Sequence, residues 1–79
     1  MLPHDLPSDI SQKRLARAFV KMGFILDMSG GKGGHYKLTN PKNKQFITLQ
    51  SKIYKEVLRD KLKQAEGWGY DAEEIMRNY

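Results

Sequence analysis

The chain has 79 residues, 39% of them hydrophobic, with seven glycines, three prolines and no cysteine. A chain of this length forms one domain at most and buries only about 60% of the surface its unfolded form exposes, so its core is small; without cysteine, disulfide staples and thiolate zinc sites are excluded and a reducing compartment fits. The net charge of +5 is unevenly spread: residues 11–65 carry thirteen Lys and Arg against Asp27, Glu56 and Asp60, a balance of +10, whereas residues 1–10 carry −2 and residues 66–79 carry −3.

A basic body of this kind draws polyanions, of which nucleic acid is the commonest in a cytosol; the alternative is a solvated, lysine-rich surface. No run of even ten apolar residues occurs, and the start "MLPHDLPSDI" lacks the basic flank and apolar stretch of a secretory signal. The expectation is a soluble, cytoplasmic protein with no membrane partner.

Ser11 is a good N-cap, and Leu15, Ala18, Phe19 and Met22 follow at the spacing of one apolar helical stripe. Lys13, Arg14, Arg17 and Lys21 take the other side, and Gly23 suits the left-handed residue that ends a helix. "FILDM", residues 24–28, alternates Phe24, Leu26 and Met28 against Ile25 and Asp27 and predicts a first strand. A glycine loop, "SGGKGG", leads into a second strand, "HYKLT", over 35–39. Asn40, Pro41, Lys42, Asn43 and Lys44 supply turn chemistry, and "QFITLQ", residues 45–50, returns as a third strand, so the last two strands form a hairpin. If Tyr36, Leu38, Ile47 and Leu49 face the core, then His35, Lys37, Thr39, Phe46, Thr48 and Gln50 share the opposite, polar face.

A second helix is expected from about residue 53 to 66, marked by Ile53, Val57, Leu58, Leu62 and Ala65, with Gly67 as its stop and Lys52, Lys55, Arg59 and Lys63 as a basic side. In the tail, Asp71 three residues before Glu74 reads as a capping pair for a short helix carrying Ile75 and Met76. Trp68 and Tyr70 read as packing for a small core.

These elements predict an α+β domain of order α-β-β-β-α, a three-stranded antiparallel sheet with two helices packed on one face and a short C-terminal helix, which is the topology of the double-stranded-RNA-binding domain. Residues 1–10 are expected as a flexible N-terminal segment, 11–67 as the domain, and 68–79 as a C-terminal extension. Topology alone assigns no function.

The chemistry narrows further. RNA carries its own nucleophile, the 2′-hydroxyl, so its cleavage needs a base for that proton, donors for the crowded phosphorane and an acid for the leaving oxygen. Histidine, whose ordinary pKa is about 6.5, is the side chain best matched to proton transfer near neutral pH. His35 is one of two histidines, the other being His4 near the N-terminus, so a single-histidine mechanism is what the residues allow. Lys37, two residues along the same strand face, and Lys32 at the loop tip could stabilise phosphate charge, and the amides of Gly33 and Gly34 could cup an anion. Phe46 on the same face could stack a base, and Lys13, Arg17, Lys52 and Lys55 could hold flanking phosphates.

Other chemistries fit poorly. "SGGKGGHY" has neither the phosphate-loop order nor the dinucleotide pattern. Two distant histidines without cysteine make a poor zinc site, no serine has the company a serine hydrolase needs, and no acidic cluster suggests a two-metal nuclease. No cofactor and no metal are expected, and no helix-turn-helix spacing points to DNA.

Taken in order, "LPSDISQKRLARAFVKMGF", "GGHYKLTNP", "FITLQ" and "LRDKLKQAEG" resemble the HicA toxins of bacterial and archaeal toxin-antitoxin modules, over residues 6–67. That family keeps a helix ending in Gly-Phe, a Gly-Ser-His-His type motif before a strand, a polar proline turn, a strand, and a helix ending in Leu-Lys-Gln-Ala-Gly. The resemblance implies a type II toxin, an endoribonuclease that cuts mRNA without a metal through the histidine matching His35, and that is neutralised by a HicB-like antitoxin. Gly34 stands where the family usually has serine, and Tyr36 where a second histidine is common. The first change removes a hydroxyl that could orient the histidine or bind phosphate, and it leaves open a noncatalytic RNA-binding module of the same fold.

Overall fold

The computed structural model describes residue 6 and residues 9–28 and 34–79. Helix α1 spans Gln12–Lys21, strands β1, β2 and β3 span Ile25–Asp27, Tyr36–Thr39 and Phe46–Leu49, and helices α2 and α3 span Lys55–Gly67 and Ala72–Arg77. The strands form one antiparallel sheet in the order β1-β2-β3. This is the α+β order expected from the sequence, with the sheet flanked by helices and a short helix at the C-terminus.

Each strand is shorter than its alternation suggests. His35 and the residues flanking β1 and β3 fall outside the ladders, because pairing, not side-chain pattern, decides where a strand stops. Register then sorts the faces. Leu26, Leu38 and Ile47 are successive partners across the sheet, as are Tyr36 and Leu49, and they point to the helices. Ile25, Thr39 and Phe46 form one row of the opposite face, and Asp27, Lys37 and Thr48 form the next.

The core joins Leu15 and Phe19 of α1, Leu58 and Leu62 of α2, and Ile75 of α3 to Leu38, Ile47 and Leu49 of the sheet, all fully buried. Ser11 caps α1 by accepting from the Arg14 amide at 3.2 Å. Both long helices end in a Schellman turn. The Phe24 amide donates to the Phe19 carbonyl (3.1 Å) and the Gly23 amide to that of Val20 (2.9 Å), with Gly23 at φ +104°. In α2, Tyr70 donates to Ala65 and Gly69 to Glu66, both at 3.0 Å, with Gly69 at φ +95°.

Gly67, expected to stop α2, is instead its last helical residue. The left-handed turn sits two residues later, where it delivers Tyr70 to the core. The twin turns bring Phe24 and Tyr70 together, ring centroids 4.8 Å apart, with Trp68 at 6.3 Å from Phe24. Trp68 and Tyr70 therefore pack as the sequence suggests. α2 also begins later than its apolar pattern implies, at Lys55, because Ile53 pairs with Ile10 in an isolated β-bridge.

Leu6 and Ile10 are buried in the core, so residues from the expected flexible segment 1–10 contribute to packing. The C-terminal helix contributes too. Asp71 caps α3 through the Glu73 amide (3.0 Å), Ala72 and Ile75 are fully buried, and α3 contacts both α1 and α2. Tyr79 closes onto α1: its hydroxyl accepts from the Ser11 amide at 2.8 Å and its ring lies 4.3 Å from the Arg14 guanidinium carbon.

Candidate functional site

On the side of the sheet facing away from the helices, Ile25, Asp27, Lys37, Phe46 and Thr48 are exposed among the described residues. Lys37 lies mid-strand on β2, exposed, between its direct partners Asp27 and Thr48. Phe46 opens β3 and remains 51% exposed, so neither Trp68 nor α3 covers it. The Lys37 Nζ stands 4.5 Å from the Phe46 ring centroid, a contact in which the ring's electron-rich face attracts the ammonium. Ile25, in the same row as Phe46, is 57% exposed. The open face thus offers an apolar row beside a charged one.

His35 is exposed, one residue before β2 begins. Alternation along the strand would carry it to the side of Lys37, and it stands one step beyond the last ladder pair, Tyr36–Leu49. Gly34 precedes it at φ +69°, a left-handed conformation that side chains with a Cβ adopt at a cost. The Gly34 carbonyl accepts from Gln12 Nε2 at 2.6 Å, and the same nitrogen donates to the Leu49 carbonyl at 2.9 Å. The start of α1, the start of β2 and the end of β3 meet at one end of the sheet.

Of the other expected RNA contacts, Lys32 and Gly33 lie outside the described residues. Lys13, which follows Gln12, and Lys52, three residues beyond Leu49, are both exposed. Lys55 is the first residue of α2. Arg17 is exposed more than a turn farther along α1, on the helical layer, and is not part of the open face.

Three features escape sequence reasoning. Gln12 carries no motif and reads as an ordinary first-turn residue. Asp27 was assignable to the open face by alternation, but its pairing with Lys37 depends on register. Opposite charges directly across a ladder stabilise it by about 0.2–1 kcal/mol, and they also temper the positive field that Lys37 offers a phosphate. Tyr54, at the N-cap of α2 between Lys52 and Lys55, is 60% exposed, an exposed aromatic flanked by lysines that sequence reasoning did not single out.

No model of a protein family, no curated protein and no solved structure matches the chain.

Proposed function

We propose that the chain is a HicA-like mRNA interferase, the cytoplasmic toxin of a type II toxin-antitoxin pair, and that it cleaves RNA without a metal through His35. The observation that carries the reading is the contact of an exposed lysine, Lys37, with a half-exposed aromatic ring, Phe46, on one sheet face, with an exposed histidine, His35, one residue before the strand that carries the lysine. The resemblance of residues 6–67 to the HicA toxins supports it.

In this reading a nucleotide lies on the open face, its base on Phe46 and its phosphate between His35 and Lys37. Neutral His35 takes the proton of the 2′-hydroxyl, whose oxygen forms a bond to phosphorus as the bond from phosphorus to the 5′-oxygen breaks. The departing 5′-oxygen takes a proton from solvent or from the imidazolium just formed. A 2′,3′-cyclic phosphate and a 5′-hydroxyl result, with no net change in atoms. Lys37 attracts the negative charge that gathers on the phosphorane oxygens.

A HicB-like antitoxin would silence the enzyme by covering the His35 face, and an acidic partner suits the basic body. The test is incubation of purified protein with a long RNA in EDTA beside His35→Ala. Cleavage by the parent and a loss of at least about 100-fold in the variant support the enzyme. Binding without cleavage by either protein assigns a noncatalytic RNA-binding module, and equal cleavage by both removes His35 from the mechanism.

A further inference from the structure

Gly34, where the HicA toxins usually carry serine, lacks the hydroxyl that could orient His35. We propose that Gln12 does this work instead, as a positioning residue that fixes the Gly34–His35 peptide through a two-pronged amide clamp. Three observations carry the inference.

The clamp is chemically specific. Gln12 Nε2 lies 2.6 Å from the Gly34 carbonyl oxygen and 2.9 Å from that of Leu49. Both neighbours are acceptors, so only the amide's NH2, with its two N–H bonds, can face them, one bond to each. A carboxylate of the same shape would set oxygen against oxygen.

The clamp also has a rigid jaw. Leu49 is fully buried and paired with Tyr36, so its carbonyl is held by the core, whereas Gly34 lies outside the ladder. Gln12 is the first residue of α1, and helical side chains lean toward the N-terminus of their helix, which carries this one past the helix end to the sheet. The bonds bridge 22 and 37 residues of sequence.

The third observation is what the jaw grips. The Gly34 carbonyl and the His35 amide belong to one planar peptide unit, so holding the oxygen holds the plane from which the His35 Cα departs. On its other side His35 is tied to Tyr36, the first ladder residue. The left-handed Gly34, at φ +69°, sets the direction of this peptide relative to the preceding chain. His35 is therefore fixed at both flanks while its ring stays exposed.

The functional half of the inference rests on the nuclease reading; the structural half does not. The experiment compares the parent, Gln12→Ala, Gln12→Glu and His35→Ala, with folding checked by circular dichroism, RNA cleavage resolved into kcat and KM, and the His35 amide followed by nitrogen-15 relaxation. Gln12→Ala is expected to lower kcat about 10- to 100-fold with KM changed less than about threefold, and to drop the His35 amide order parameter from about 0.85 toward 0.6. Gln12→Glu, which keeps the shape but not the donors, is expected to lower kcat as far; retention of the parent kcat by this variant would reduce Gln12 to packing and overturn the clamp. Unchanged kcat in Gln12→Ala, with cleavage lost in His35→Ala, overturns the clamp and leaves the nuclease standing. If the parent cuts no RNA the nuclease reading fails, and if His35→Ala cuts as well His35 leaves the mechanism; in either case the relaxation data alone decide: a loosened His35 amide in Gln12→Ala supports the clamp, and an unchanged one overturns it.

Discussion

Lys37 stands over Phe46 on the open sheet face, Nζ 4.5 Å from the ring centroid, although the two are not directly paired: Lys37 faces Thr48 across the ladder and Phe46 faces Thr39. This diagonal contact leaves the ring half exposed, and a base stacked there would lie beside an ammonium. On the proposed reading, in which the face takes RNA, Phe46→Ala is expected to weaken binding of single-stranded RNA about 5- to 100-fold, the range for loss of one stacked base. Stability should move by less than about 1 kcal/mol, because so exposed a ring packs little. Lys37→Ala is expected to flatten the plot of log affinity against log salt by about 0.7, the share of one phosphate contact on a single strand. Fluorescence anisotropy over a salt series measures both; an unchanged affinity in Phe46→Ala removes the ring from the RNA site.

Asn40 is the one buried polar residue among those described, 1% exposed, and its Oδ1 accepts from the Tyr70 hydroxyl at 2.9 Å and the Lys42 amide at 3.1 Å. It ties the β2–β3 turn to the chain between α2 and α3. Asn40→Ala strands two donors and is expected to destabilise by about 2–3 kcal/mol, whereas Tyr70→Phe removes one bond, leaves Asn40 paired with Lys42, and should cost about 1 kcal/mol. Urea unfolding of the two variants gives the order; an equal loss would mean that the Lys42 bond contributes nothing.

Gly67 and Gly69 predict opposite signs from the same substitution. Gly67 is helical and nothing among the described residues lies within 4 Å of an added Cβ, so Gly67→Ala is expected to stabilise by about 0.5–1 kcal/mol. Gly69, at φ +95°, is equally unobstructed, but its backbone is left-handed, and Gly69→Ala should destabilise by about 1–2 kcal/mol. Thermal unfolding separates the two, and the same sign for both would contradict the placement of the α2 terminus.

Gly34→Ser introduces the residue usual at the matching position of the HicA toxins that the sequence resembles. At φ +69° the obstacle is conformational, since nothing among the described residues lies within 4 Å of the added Cβ. The variant is expected to lose about 1 kcal/mol of stability and, on the proposed nuclease reading, to cleave RNA no faster than the parent, because a shifted Gly34 carbonyl leaves its bond to Gln12. A rate increase at unchanged stability would instead assign the missing hydroxyl a part in catalysis.

The elements were legible because their signals are local. The Leu15, Ala18 and Phe19 stripe, the Gly23 terminus and the alternation through Leu38 and Ile47 each need only neighbours a few residues away, and each recurs in the structure. Alternation also sorted Lys37 and Phe46 onto one face, since the side-chain period of a strand is two whatever it pairs with; His35, expected beside them, lies one residue outside the ladder. Choosing between Gly67 and Gly69 was beyond such signals: both suit a helix end, and the demand that Tyr70 meet Phe24 selects the second.

Contacts across the chain belong to a different level. The partnership of Lys37 with Asp27 follows from strand register, the cover on Asn40 from Tyr70 thirty residues away, and the reach of Gln12 to Gly34 and Leu49 from the way α1 docks on the sheet. Residue order alone sufficed for a basic α+β domain with a lysine and an aromatic on one polar sheet face. Packing decided which of its carbonyls and amides meet, because burying Leu15, Phe19, Leu49 and Leu62 together fixes the helices against the strands and leaves Gln12 within reach of both carbonyls.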